Sequence, residues 1–140
     1  MTDSLTVTVP LHFQREFKGR KAATAIRDPL PLPLGRVPRL ARLLALAHKL
    51  ERMVHGNEVE DFATLARLGH VTRARMSQIV SLINLASDIQ DDILHLPLVF
   101  QGRDPIIIRD VLPIARQLDW SKQRVMWRQL RSQRYPTANN

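Results

Sequence analysis

Thr72, Arg73, Arg75, Ser77 and Gln78 form the densest set of side chains in this sequence able to recognise a ligand. A guanidinium group is a planar fork of N–H donors that matches phosphate oxygens and the guanine edge, and a glutamine amide matches the adenine edge. Their setting is Leu65-Ala66-Arg67-Leu68-Gly69-His70-Val71-Thr72-Arg73-Ala74-Arg75-Met76-Ser77-Gln78-Ile79. Thr72 is a good helix N-cap, and Met76, Ile79, Val80, Leu82 and Ile83 follow it as an apolar set. Once those positions face a core, the arginines, Ser77, Gln78 and Ser81 are left exposed near the start of a short helix. A helix that reads the major groove needs this arrangement. A solvated face that contacts nothing is the bland alternative.

The sequence contains little else that could do chemistry. It has no cysteine, which removes thiolate catalysis, disulfides and the commonest structural zinc sites. His12, His48, His55, His70 and His95 show no metal-ligand spacing. Asp91 and Asp92 are adjacent on a helical stretch and point apart, which is poor geometry for a carboxylate dyad. No phosphate-binding glycine loop, nucleophile elbow or HExxH appears. The expectation is therefore no enzyme, no cofactor and no metal.

The charge balance points to a polyanion. Twenty-one Lys and Arg against thirteen Asp and Glu give a net charge of +8 and a pI near 11.2, which favours DNA, RNA or an anionic membrane surface. The excess is unevenly spread. Residues 36–55 carry five basic groups and one acid, and 120–140 carry five basic groups and none. Acids dominate 56–70 and 87–96, on either side of the candidate reading helix. No run of eighteen apolar residues exists, and the N-terminus lacks the basic start and apolar stretch of a signal peptide. A cytoplasmic location, at the bacterial nucleoid, is expected, with no membrane partner.

The elements that must hold the candidate helix are mainly α-helical: a helical bundle containing a helix-turn-helix, with an N-terminal β-hairpin or strand arm. Residues 5–13 alternate apolar and polar in the strand period, and Gly19 can turn the chain into a second strand near 21–27. The basic turn with Arg15, Lys18, Arg20 and Lys21 is either a DNA-contacting finger or a solvated tip. Residues 1–27 are thus an arm, and 28–35, with three alternating prolines, a linker. Residues 36–97 read as the DNA-binding domain, 98–134 as a C-terminal helical extension and 135–140 as a disordered tail. Within them the spacing predicts helices over 37–54, 58–68, 73–84, 88–96, 109–118 and 122–133. Ser87 and Ser121 are the expected caps of the fourth and sixth. Arg36, Arg39 and Arg42 crowd the start of the first helix, against its dipole. Nearby phosphates would explain that, and acids of the linker could also compensate. These three, with Lys122, Arg124 and Arg128, are the candidate contacts to the DNA backbone. Trp120 and Trp127, seven residues apart, should share a face and be core or interface.

Residues 58–97, with Val59, Leu65-Ala66, Thr72-Arg73-Ala74-Arg75-Met76, Ile83-Asn84-Leu85 and Asp88-Ile89-Gln90-Asp91, resemble the helix-turn-helix of the ParB and KorB partition proteins. That resemblance implies specific reading of a duplex site, often palindromic, by a dimer. Glycine usually stands in that family where His70 falls here. The family's arginine-rich nucleotide-binding motif has no counterpart, so no CTP switch is implied. A wider pattern, Gly35-Arg36-Val37-Pro38-Arg39-Leu40-Ala41 followed by Ala66 to Arg75, is similar to short proteins that accompany serine recombinases in bacterial mobile elements. The reading is a sequence-specific double-stranded DNA-binding protein, a transcription regulator or recombination accessory factor of a phage or mobile element. The alternative is a protein-interaction adaptor that docks on a larger DNA enzyme such as a serine recombinase. A second copy of the chain and a recombinase are the further candidate partners.

Overall fold

The computed structural model describes residues 11–15, 21–25 and 34–136. Leu11–Arg15 (β1) and Lys21–Ala25 (β2) pair antiparallel, with Leu11 opposite Ala25 and Arg15 opposite Lys21. Residues 5–10 of the strand expected over 5–13, the Gly19 turn and most of the linker lie outside the described residues.

The chain from Gly35 onward forms a second unit. It is mainly helical: α1 (Arg39–His55), α2 (Phe62–Leu68), α3 (Arg73–Val80), α4 (Ser87–Leu94), α5 (Ile108–Ala115) and α6 (Trp120–Arg134), with one 3-10 turn at Ser81–Asn84. No helix among the described residues is long and apolar enough to cross a membrane.

Long helix α1 serves two cores, because its apolar positions recur over nearly five turns. Its first half places Leu40, Ala41 and Leu44 among Leu82, Leu85, Ile89, Ile93, Ile106, Val111, Ile114 and Trp127. Its second half places Ala47 and Leu50 against Leu65 and Ala66 of α2 and Met76 and Ile79 of α3. Ala66 has the small side chain that a close crossing requires. Residues 98–134, expected as an extension, instead complete the first core from α5 and α6. Tyr135, expected in the tail, is half-buried against that core, with its N–H donating to the Arg131 carbonyl at 2.8 Å.

Several boundaries differ from the sequence expectation, two of them because an aspartate caps the helix. Helix α2 starts at Phe62 rather than near residue 58, because the Asp61 carboxylate accepts the Thr64 N–H at 2.7 Å and fixes the first turn there. Ser87 opens α4 as its first helical residue instead of capping it, and Asp119 rather than Ser121 caps α6. Helix α3 stops at Val80 and tightens into the 3-10 turn. Leu68, at the end of α2, is exposed. Trp127 is buried with its Nε1–H donating to Asp92 at 2.9 Å, while Trp120 is 52% exposed, so the two tryptophans do not share an environment.

The turn between α2 and α3 is closed by the backbone of α2. Val71 N–H donates to the Ala66 carbonyl at 3.0 Å and His70 N–H to the Arg67 carbonyl at 3.3 Å. This is the paired closure in which the residue after the C-cap turns left-handed. His70 occupies that position with φ of 52°, whereas neighbouring Gly69 has an ordinary φ of −84°. A side chain in the left-handed region costs roughly 1–2 kcal/mol that glycine avoids. Replacement His70→Gly is therefore expected to raise unfolding free energy by about 1 kcal/mol, less the larger entropy of an unfolded glycine. Urea denaturation checks this, and a loss of stability would show that the imidazole has a role the turn geometry does not reveal.

Candidate nucleic-acid interface

Thr72 accepts the Arg75 N–H at 3.1 Å and starts α3, so the residues after it project from a fixed first turn. With Met76 and Ile79 seated in the core, Ala74 and Ser77 are exposed and Gln78 is half-buried. The two arginines fall on opposite flanks. Arg73 borders a hollow against α2, lined also by Asp61 and Arg67. The Thr64 N–H, with the Arg73 charge in support, holds the Asp61 carboxyl below its ordinary pKa. Arg75 turns the other way, half-buried, and donates to Gln78 Oε1 at 3.3 Å.

The Arg75 flank opens onto a cleft of about 550 Å³ whose rim also carries Arg36, Arg39, Arg42 and Arg103. Three of the arginines expected to grip a backbone thus meet one expected to read bases. A short clamp fixes their position. Arg36 and Val99 exchange both backbone hydrogen bonds at 2.9 Å, joining the segment before α1 to the one after α4. Gly35 allows that approach, since a Cβ there would lie 2.7 Å from the Leu98 Cβ and 2.9 Å from the Phe100 ring. Arg36 then donates to the Gly102 carbonyl at 2.8 Å and to Asp104 at 2.6 Å.

Asp104 resolves the conflict at the start of α1. That first turn holds no acid, but Asp104 accepts the Arg39 N–H at 2.6 Å from 65 residues further along the chain. Burial pushes its carboxyl up, yet the Arg39 N–H, the Arg36 guanidinium and the charges of Arg36 and Arg42 together hold it below its ordinary value. The crowd of arginines at a positive helix end is tolerated because one fixed carboxylate caps that end. Arg103 and Asp104 were not singled out from the sequence. The unbalanced start of α1 was the one available signal, and it required an acid without saying which.

The remaining candidates lie elsewhere. Lys122, Arg124 and Arg128 project from α6, and none lines this cleft. Arg124 is paired with Asp88 of α4 at 2.9 Å, and Arg128 donates to the Arg124 carbonyl at 3.4 Å. Arg131 pairs with Asp92 and Arg134 with Asp110. The charge of the C-terminal helix is thus largely used to fasten it to the acidic faces of α4 and α5. No protein-family model, curated protein or solved structure matches this chain.

The pKa of Asp104 gives a measurable consequence. A carboxyl with a lowered folded pKa contributes stability in full above its unfolded value, near 3.8, and loses it as pH falls through the folded one. Replacement Asp104→Asn should lower stability at neutral pH and flatten the decline of stability below about pH 4. Chemical denaturation across that range tests this, and an unchanged slope would contradict the assignment.

Proposed function

We propose that this chain is a non-enzymatic protein that binds double-stranded DNA sequence-specifically, with α2 and α3 as a helix-turn-helix and α3 as the reading helix. The observation that carries the reading is the convergence of Arg36, Arg39 and Arg42 with Arg75 of α3 on one cleft beside an exposed helix face. Guanidinium groups flanking a helix can hold phosphates while the helix enters the groove, a division between positioning and reading that duplex recognition generally uses. Arg73, Arg75, Ser77 and Gln78 would read base edges, and Thr72 would fix their register. Arg36, Arg39 and Arg42 would grip the backbone, with Lys122 and Arg128 as weaker additions. Palindromic sites are read by two-fold dimers, so a homodimer is part of the proposal. The N-terminal strands would form a separate arm. A transcription regulator or recombination accessory factor at the bacterial nucleoid fits this chemistry, with no cofactor or metal needed.

One observation favours a second reading, an adaptor on a larger DNA enzyme such as a serine recombinase. Leu118 is 99% exposed at the elbow before α6, near the exposed Trp120 and Val125. Three apolar side chains left outside within eight residues suit a protein contact. Partner capture that survives nuclease treatment, without any duplex affinity, would favour this reading.

Replacement Arg75→Ala is expected to weaken specific duplex binding by about 1–3 kcal/mol while leaving non-specific binding nearly unchanged. Mobility-shift titration against a selected site and a scrambled one reads both. Equal loss on both would make Arg75 a phosphate contact and remove it from base reading.

A further inference from the structure

The arginine cleft has an interior that a duplex backbone does not use. Its lining is not only charged: Leu40 and Leu43 of α1 and Ile107 and Ile108 at the start of α5 add apolar surface beside the guanidinium groups. At about 550 Å³ it falls within the roughly 300–1,000 Å³ of small-molecule sites, which are mostly apolar with a few polar groups fixing orientation. A backbone phosphate meets guanidinium groups from outside and has no flat apolar body to place in such a recess.

We infer that this cleft binds a nucleoside monophosphate, with the phosphate at the arginine rim and the base against the apolar surface. The rim supplies the donors. Five guanidinium groups face one carboxylate, and that carboxylate is already engaged by the Arg39 N–H and by Arg36. Among the described residues, no hydrogen bond is made by the side chains of Arg39, Arg42 or Arg103, and Arg75 makes one, to Gln78. Each guanidinium carries five N–H donors, so most of the rim's donor capacity is open to an anion. Arg and phosphate pair in a bidentate manner, and an arginine plane can stack on a base. Arg103 belongs to the loop fixed by the Arg36–Gly102 and Arg36–Asp104 bonds, with Gly102 at a φ of 75° turning that loop. It therefore faces the rim without having to be ordered first.

The inference concerns the same cleft as the proposed DNA contact but does not rest on it, because the ligand is assayed without DNA. Calorimetric titration of the full chain with adenosine 5′-monophosphate should give saturable binding and a raised melting temperature. Adenosine and inorganic phosphate, each alone, should bind at least ten-fold more weakly. Arg103→Gln and Arg42→Gln, both at exposed positions, should each weaken the nucleotide at least ten-fold, while Lys49→Gln, exposed on α1 and outside the cleft, leaves it unchanged. Absence of saturable nucleotide binding would overturn the inference. So would equal affinity for inorganic phosphate, or equal weakening by Lys49→Gln, since either would mean a diffuse basic surface. Nucleotide binding without any duplex binding would defeat the DNA reading and uphold this one, and duplex binding without nucleotide binding would do the reverse.

Discussion

The rest of the structure depends on a buried break in the helical chain at Asn84–Ala86. Leu82, Leu85 and Ala86 are almost wholly inaccessible to solvent although Asn84 is exposed, so the Ala86 N–H, freed where α4 begins, cannot turn to water. Unpaired, it would cost on the order of 1–3 kcal/mol. Two glutamines satisfy the backbone groups of this break. Gln123 of α6, fully buried, accepts the Ala86 N–H at 2.8 Å and donates to the carbonyls of Asn84 and Gln117 at 3.1 and 2.8 Å. Gln90 of α4 donates to the carbonyls of Ile83 and Leu85 at 3.0 and 2.8 Å, and its Oε1 lies 2.6 Å from His48 Nε2 of α1. The two side chains tie the 3-10 turn after α3 and the break before α4 to α1, α4 and α6 at once. The exposed face of α3 is therefore backed by hydrogen bonds in the turn that follows it as well as by the Met76 and Ile79 contacts.

A second constraint works at the other end of the same surface. Bringing several guanidinium groups to a positive helix end is unfavourable, and Asp104 is the group that makes it tolerable. The carboxylate acts locally as a cap and as an ion-pair partner, and it leaves the rim with four more cations than anions. On the proposed reading, stability and anion affinity would pull in opposite directions there. On α6 the same residue type has the opposite use. Its arginines are fastened to Asp88, Asp92 and Asp110, so a segment that looks like the most basic in the chain is held mostly by its own protein.

What the sequence made legible was local. The apolar spacing of α1 and α3, the Thr72 cap and the small Ala66 follow from rules that span a few residues, and the structure has each of them. Capping by Asp61 rather than at Glu58 was a choice among three nearby acids that spacing alone does not decide. Asp104, Gln90 and Gln123 were hidden for a different reason, since each acts on backbone groups brought to it by the fold. Nothing in the local pattern marks Gln123 as buried, because an amide at that helical position suits solvent equally well. His70 shows the opposite case, in which a residue disfavoured by backbone rules sits at a left-handed turn because the flanking helices over-determine it.

The central claim is that α3 reads base sequence, with the adjoining arginines holding the backbone. Selection of bound fragments from random duplex DNA, at moderate and then at higher salt, tests it most directly. The account predicts one enriched motif at both salts, preferably palindromic, with affinity falling steeply as salt rises. Salt-sensitive binding with no enriched motif would contradict it and reduce this surface to a non-specific polyanion contact.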